Sequence, residues 1–441
     1  MKVLCISAHG PVRAGKVAFD LHHNFIRSGY DSKMLTIYQE QAEDDVISMH
    51  SPKQWKRIQF WRKVDRKIFQ KIKSKLGLLK KHKKDSKYQF FELDGTKQYY
   101  STPKILQRLN GFVPDVIVVF FTTEFVTVKN IKELAQATGA TILWEFLDMA
   151  PITGGCHYAW ECEGYYNGCG KCPALFSKKS KDFSSINLAF KKDNIKGYDL
   201  RLMIGSEWDH QNTLKSSLFK DLPIYRTFLG IDSQVFKPVD KAAVRAKWGI
   251  PEDRKVLFFG SVHFGEERKG MSYLMNALNL LNLKLNGDGL KEKIILLIAG
   301  NTNDFPLELL PFKYHCLGYL KQVNELAAAY QAADVFVCPS VYDSGPVMVN
   351  QALMSGTPIV AFDMGVSLDL VHSGKTGYRA KLKDSDDLAE GLFRMVSLSR
   401  DNQRKMEEEC RLLALDLIDP EKVIHMYTSV FEDIKRNKML S

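Results

Sequence analysis

The stretch Pro339–Phe362, PSVYDSGPVMVNQALMSGTPIVAF, constrains the fold more than any other part of the chain. An apolar run, Val335–Pro339, leads into a small-residue turn, Asp343–Pro346. A segment of helical character, Val347–Met354, follows, and then a second apolar run, Pro358–Phe362. Short apolar runs bounded by turn signals read as buried strands, and strands alternating with helices read as βα units of a parallel sheet. In an open sheet of this kind, ligands collect outside the carboxyl ends of the strands. A helix that starts behind a small-residue loop points unpaired amides and its positive dipole end at that place, which suits phosphate. The stretch predicts a site for a phosphorylated ligand.

The same alternation runs through the chain in two series. Met1–Ala8, Lys33–Ile37, Val116–Phe121 and Thr141–Leu147 read as strands, with helices over Lys16–Arg27 and Lys129–Thr138. After the turn-rich Ile224–Pro238 come strands at Lys255–Gly260, Lys293–Gly300, Tyr314–Leu317, Val335–Cys338 and Ile359–Phe362. A chain of 441 residues has room for two such domains. They are expected over 1–225 and 226–419, with the final segment, 420–441, a helix returning to the first. No apolar run approaches the roughly 20 residues of a membrane helix, and the start lacks a signal-peptide pattern. A cytoplasmic protein is expected.

The net charge of +11 is concentrated in one place. Residues Lys53–Lys87 hold fifteen Lys or Arg against two acidic residues, so the rest of the chain is slightly acidic. Ile58, Trp61, Val64, Ile68, Ile72, Leu76 and Leu79 recur there at helical spacing, which puts them on one face with the lysines around them. A basic amphipathic helix of this kind suits an anionic membrane surface, and peripheral attachment at the inner face of the cell membrane is expected. The alternative is a helix packed on its own domain with solvated lysines. No base-reading module is recognisable, so a nucleic-acid partner is not expected.

Three further motifs bear on chemistry. Gly10–Lys16, GPVRAGK, has the spacing of a phosphate-binding loop, but Val17 follows where a triphosphatase needs a hydroxyl for magnesium. Gly15 is instead read as part of a small-residue turn that lets a ligand approach the sheet edge, with Lys16 or Arg13 able to touch an anionic group. Cys156, Cys162, Cys169 and Cys172 form a cluster whose last pair lies in GCGKCP. They are read as ligands of a structural zinc, with His157 able to replace one sulfur; reduced or disulfide-paired structural cysteines, and a catalytic thiol, are the alternatives. Arg268, Lys269 and Gly270 sit just past the strand at Lys255–Gly260, where a lysine can reach a diphosphate.

In this order the motifs resemble the family 4 retaining glycosyltransferases, and within them the branch that builds exopolysaccharides such as colanic acid. The segments that carry the resemblance are GPVRAGK, DMAPITGGCHYAWECEGYYNGCGKCPAL from Asp148, GIDSQVFKP from Gly230, RKG from Arg268, and DSGPVMVNQALMSGTPIVAF from Asp343. The resemblance implies a GT-B fold: two doubly wound Rossmann-like domains facing a cleft, with a nucleotide sugar held by the second and the acceptor by the first. It implies that Lys269, helped by Arg268, binds the donor diphosphate. It also implies that Asp343 faces the donor sugar, and that the amides around Ser344, Gly345, Pro346 and Val347 contact sugar and phosphate. Gln351 stands where the family usually has the Glu that accepts from the ribose hydroxyls. Asp148 is implied in catalysis, but the branch often reads His-Asp where this chain has Leu147 and Asp148. His157 reaches the site only if the cysteine-rich loop folds inward. The implied activity is metal-independent, retaining transfer of a sugar from a nucleotide-diphosphate sugar to a membrane lipid-linked saccharide in surface polysaccharide biosynthesis. A non-catalytic membrane-associated partner with a degenerate donor site, or a GT-B nucleotide-sugar epimerase, are the alternatives.

Overall fold

In the computed structural model, residues 1–10, 15–39, 43–61, 64, 84–285 and 289–440 are described. The chain divides into two compact units, one of Met1–Ile204, Asn212–Tyr225 and the chain from Tyr427, the other of Gly205–Gln211 and Arg226–Met426.

The first unit is built on seven strands: β1 (Lys2–Ile6), β2 (Asp31–Tyr38), β3 (Val46–His50), β4 (Val116–Val119), β5 (Thr141–Phe146), β6 (Leu200–Ile204) and β7 (Ile224–Arg226). Their order in the sheet is β3-β2-β1-β4-β5-β6-β7, and the pairs from β3 through β6 are parallel. β1, β4, β5 and β6 are almost wholly buried, as parallel strands covered on both faces must be. The switch in strand order falls between β1 and β4, where such sheets open a crevice for ligands. The end of the final helix, Pro420–Leu440, belongs to this unit: Tyr427 and Phe431 pack on Phe25, and the Tyr427 hydroxyl donates to buried Glu145.

The second unit has six strands, β8 (Lys255–His263), β9 (Ile294–Asn301), β10 (Lys313–Gly318), β11 (Val335–Cys338), β12 (Ile359–Phe362) and β13 (Gly377–Ala380). The order β10-β9-β8-β11-β12-β13 repeats that of the first unit, and every pair is parallel. A single core of strand and helix side chains, including Phe258, Phe336, Tyr330 and Leu353, fills one side of it. The short stretch Gly205–Gln211 joins this unit because Arg226 bridges Glu207 and Asp369, at 2.7 Å to each. Sequence reading placed that stretch in the first domain; the ion pairs are what draw it into the second.

Most of the basic segment lies outside the described residues. What is described is a helix over 52–61, on which Phe60 and Trp61 are 60% and 52% exposed. Among the described residues no helix is long and apolar enough to cross a membrane. Arg13 also lies outside the described residues.

His22, on the helix Gly15–Arg27, shows how tightly the first unit is closed. Its side chain has no solvent-accessible surface, with Nδ1 at 2.8 Å from Ser32 Oγ and Nε2 at 3.2 Å from Asp45. Burial drives its pKa down to about 4, against the pull of Asp45. The unfolded chain therefore takes up a proton as pH falls through about 6.5, while the folded chain does so only near its own lower value. Stability at this site is complete above that window and is lost on the way down, by about 3 kcal/mol. Urea unfolding of the first unit at pH 7 and pH 4 is expected to show His22→Gln losing about 3 kcal/mol less than the native chain over that interval.

Candidate functional site

The predicted phosphate site is assembled entirely within the second unit. β11 ends at Cys338, the loop to Pro346 turns at its carboxyl edge, and the helix Val347–Met354 starts behind it. Pro346 is the residue before that helix and no side chain caps it; Val349 N donates to the Pro346 carbonyl at 2.8 Å, which leaves the amides of Val347 and Met348 for water or a ligand. Facing this loop is the turn Glu267–Lys269 after β8. The two are fastened by their backbones: the Arg268 carbonyl accepts from Val341 N at 2.8 Å and from Tyr342 N at 3.3 Å.

Charge gathers where they meet. Asp343, 8% exposed, accepts from Lys269 Nζ at 2.6 Å and from Arg268 Nη1 at 2.7 Å, and Arg268 also pairs with Glu266 at 2.8 Å. Burial opposes the charge on Asp343, yet Lys269 and then Arg268 outweigh it and hold the carboxyl below its ordinary range. Ser344 is buried; its carbonyl accepts from Ser206 Oγ at 3.0 Å, and its own hydroxyl has no partner among the described residues. A buried hydroxyl left in this way is the kind of group a ligand satisfies. Gly345 and Pro346 complete the turn, Val347 is 36% exposed, and Gln351 one turn on accepts from the buried Tyr330 hydroxyl at 3.0 Å. The structure thus brings Lys269, Arg268 and Asp343 into one cluster. The sequence pattern named all three residues but gave no sign that the two cations would be spent on the carboxylate.

Asp148 lies in the first unit, just past β5. Its Oδ1 accepts from Ala150 N and its Oδ2 from His157 Nδ1, each at 2.7 Å. The cysteine-rich loop does fold inward: Met149 N donates to the His157 carbonyl at 3.1 Å, and Phe90 forms an antiparallel bridge with Cys156. Both partners line a cavity at the ends of β4 and β5, together with Glu92, Lys191, Phe120 and Trp144. Burial pushes the Lys191 ammonium down to about 8 and raises the Glu92 carboxyl. Sequence reading did not single out Glu92 or Lys191, and nothing in their local sequence marks them.

Cys156, Cys162, Cys169 and Cys172 lie near enough for their charges to act on one another, while among the described residues no group of three or more His, Cys, Asp or Glu side chains is arranged to hold a metal ion. The loop is pinned by hydrogen bonds, Thr153 Oγ1 to the Cys156 carbonyl at 2.6 Å and Cys172 N to Asp182 at 3.0 Å. All eight cysteines are free thiols, and burial raises Cys156 and Cys169 to about 12 and raises Cys172. Thiols so desolvated stay protonated and do not suit a nucleophile. Gly15 has no room for a side chain: a Cβ there would lie 2.0 Å from the Gly10 carbonyl oxygen and 2.6 Å from that of His9. Lys16 points to Asp20 at 2.6 Å.

Comparison with known proteins agrees with this division. Residues 240–412 match the family model "Glycosyl transferases group 1". An uncharacterized glycosyltransferase of Methanocaldococcus jannaschii is 29% identical over 164 residues, 36% of this chain and 40% of that one. The D-inositol 3-phosphate glycosyltransferase of Stackebrandtia nassauensis is 30% identical over 181 residues, 38% of this chain and 40% of that one. The match therefore spans about 40% of the length of these curated relatives. Solved structures align over the full length: sucrose-phosphate synthase of Thermosynechococcus elongatus at TM-score 0.65, 16% identity and 99% of both chains. HepE of Anabaena in complex with UDP aligns at TM-score 0.62 and 13% identity, over 99% of this chain and 100% of that one. At such identities the likeness is one of fold, two Rossmann-like parallel-sheet domains as in the GT-B glycosyltransferases. The second unit, with the whole of the Asp343–Lys269 cluster inside residues 240–412, carries a glycosyl transferases group 1 domain.

Proposed function

We propose that the protein is a retaining glycosyltransferase that moves a sugar from a nucleotide-diphosphate sugar to a lipid-linked saccharide at a membrane surface. The observation that carries this reading is the cluster of Lys269, Arg268 and Asp343 beside the uncapped start of the helix Val347–Met354. Lys269, Arg268 and the helix amides take up the charge of the departing diphosphate, the largest charge change in the reaction. The acceptor hydroxyl attacks on the face from which the diphosphate leaves, the two being positioned together, so no covalent protein intermediate is needed. Asp343 meets the donor sugar and Ser344 Oγ accepts or donates one further hydrogen bond. UDP bound to HepE of Anabaena supports a nucleotide donor. The relatives named for inositol phosphate support a polyhydroxylated acceptor, and the similar structure of WaaG, a glycosyltransferase involved in lipopolysaccharide biosynthesis, supports a part in building surface saccharides.

Calorimetry with UDP and GDP, followed by transfer assays with the sugars of whichever binds, tests the donor half. Failure of the folded protein to bind either would end the proposal. The exposed Phe60 and Trp61 beside Lys53, Lys56 and Arg57 support membrane contact. Co-sedimentation is expected with vesicles of anionic lipid and not with neutral phosphatidylcholine, and is expected to weaken as salt rises.

Gln351 gives a sharper prediction. Its Oε1 already accepts from Tyr330. A carboxylate at this position would keep that bond on one oxygen and offer the other to a ribose hydroxyl, and charge-assisted hydrogen bonds are the stronger kind. Gln351→Glu is expected to tighten nucleotide binding about 3- to 10-fold by calorimetry, about 1 kcal/mol. Gln351→Ala is expected to weaken it and to leave the Tyr330 hydroxyl unpaired.

A further inference from the structure

The second unit has a further hollow, at the edge of its sheet away from Asp343. The cluster of Asp343, Lys269 and Arg268 lies past the carboxyl end of β11, whereas this hollow opens beside Ser373–Tyr378, where β13 begins. β11, β12 and β13 are parallel, so the two places lie at opposite ends of the strands. We propose that the hollow binds a phosphate monoester through Lys375, Arg394 and Lys405, with the ester's apolar group seated on Met395, Leu398 and Met406. This site does not depend on the transferase reading.

Three walls meet there: the turn before β13, the end of the helix Ser385–Val396 and the first half of the helix Arg400–Leu417. Each wall brings one cation. Three cations against a single carboxylate, Glu409, make the lining positive. Among the described residues Lys375 and Lys405 form no ion pair, whereas Lys241 is spent on Glu407 and Lys284 on Glu390. Cations left in this way meet an anion without breaking a pair already made.

The cations stand on fixed supports. Lys375 is in a closed turn, in which Gly374 N donates to the Gly377 carbonyl and Thr376 N to that of His372, each at 2.9 Å. Ser373 Oγ accepts from Arg379 N at 3.0 Å, which ties the turn to β13. The Arg394 guanidinium lies 5.3 Å from the centre of the Tyr378 ring, and its Nε donates to Glu390 at 2.9 Å, which leaves its two terminal nitrogens for a ligand. Tyr378 is held in turn: its hydroxyl donates to Asp387 at 2.6 Å, and buried Gly391 packs so closely that a Cβ there would lie 2.4 Å from the ring. Side chains held before the ligand arrives lose little freedom on binding, and a guanidinium fork matches phosphate oxygens.

At about 610 Å³ the hollow has the size of a small-molecule site, about 300–1,000 Å³. Met395 and Met406 are 3% and 8% exposed and form, with Leu398, an apolar side that an inorganic ion leaves uncovered. Their flexible thioethers adapt to varied apolar shapes. A lipid with a phosphate headgroup and a soluble phosphorylated metabolite both present this pairing of phosphate and apolar group.

Calorimetry on the full chain with inorganic phosphate, phenyl phosphate and dihexanoyl phosphatidic acid below its micellar concentration provides the test. Phenyl phosphate is expected to bind about 10-fold more tightly than inorganic phosphate, because only the ester covers the apolar side. The double variant Lys375→Gln/Lys405→Gln is expected to weaken phenyl phosphate about 10-fold or more, with UDP affinity within about twofold and Tm within about 2 °C of the native chain. Lys269→Ala, at the other end of the strands, is expected to leave phenyl phosphate within about twofold. Tighter binding of phosphatidic acid than of phenyl phosphate assigns the hollow to a lipid, and the reverse order to a soluble phosphate. Equal affinity for phenyl and inorganic phosphate, native affinity in the lysine double variant, or loss of affinity in Lys269→Ala alone overturns the proposal. Those results leave UDP binding, and with it the transferase reading, untouched.

Discussion

Replacing Lys269 with Ala is expected to lower kcat about 10²- to 10³-fold, with the fold of both units intact. The ammonium is one of two cations within 2.7 Å of a single carboxylate oxygen. When a diphosphate departs it gains charge, and a cation that meets that charge is worth about 3–4 kcal/mol there. The protein tolerates the loss because Arg268 remains on Asp343, so the buried carboxylate keeps a partner. Asp343 itself yields a second, opposite result. Its charge and that of Glu266 formally cancel those of Lys269 and Arg268, so a diphosphate must compete for cations that are already engaged. Asp343→Asn is expected to tighten binding of the bare nucleoside diphosphate several-fold while slowing sugar transfer at least 10-fold, because the variant frees the cations and loses the contact to the sugar. Calorimetry and a coupled assay separate the two. A Lys269→Ala enzyme within threefold of the native rate, or an Asp343→Asn protein that binds the diphosphate more weakly, would count against the cluster as the donor site.

How much of this was legible in the sequence depended on burial. β11 and β12 could be read almost residue by residue, because strands covered on both faces are unbroken apolar runs. The strands that escaped notice include β3, β7 and β13, each at the rim of its sheet. There one side is half solvated, and sequences such as IYR or GYRA carry no apolar run. β6 is central and fully buried yet was also missed, because Arg201 interrupts it; the guanidinium is answered by Asp199 and Tyr225, partners that only the fold brings near. Lys269, Arg268 and Asp343 could be singled out because a strand, a turn and a helix start fix their positions locally. The Asp148–His157 pair was not predicted as a contact. It depends on how the loop from Met149 to His157 closes, which the hydrogen bonds of that loop decide and its local sequence does not mark.

The second large effect comes from a residue with no side chain. Gly270 stands between Lys269 and the helix Met271–Lys284, at φ +67°, and a Cβ there would lie 1.8 Å from the Pro339 carbonyl oxygen. That oxygen belongs to backbone at the end of β11, and the neighbouring Val341 amide is tied to Arg268, so neither side can move without opening the donor loop. Gly270→Ala therefore carries two costs: about 1–2 kcal/mol for a left-handed residue with a Cβ, and the overlap with a fixed carbonyl. Gly374 isolates the first of these, since it sits at φ +82° and a Cβ there would meet nothing within 4 Å. By urea unfolding of the second unit, Gly374→Ala is expected to cost about 1–2 kcal/mol, and Gly270→Ala at least about 2 kcal/mol more. Nucleotide binding is expected to survive in the first variant and to fail in the second, even under conditions where its second unit is still folded. The loop keeps Lys269 beside Asp343 only while two backbones touch at Gly270, and equal stability losses in the two variants would show that this contact is not what holds them.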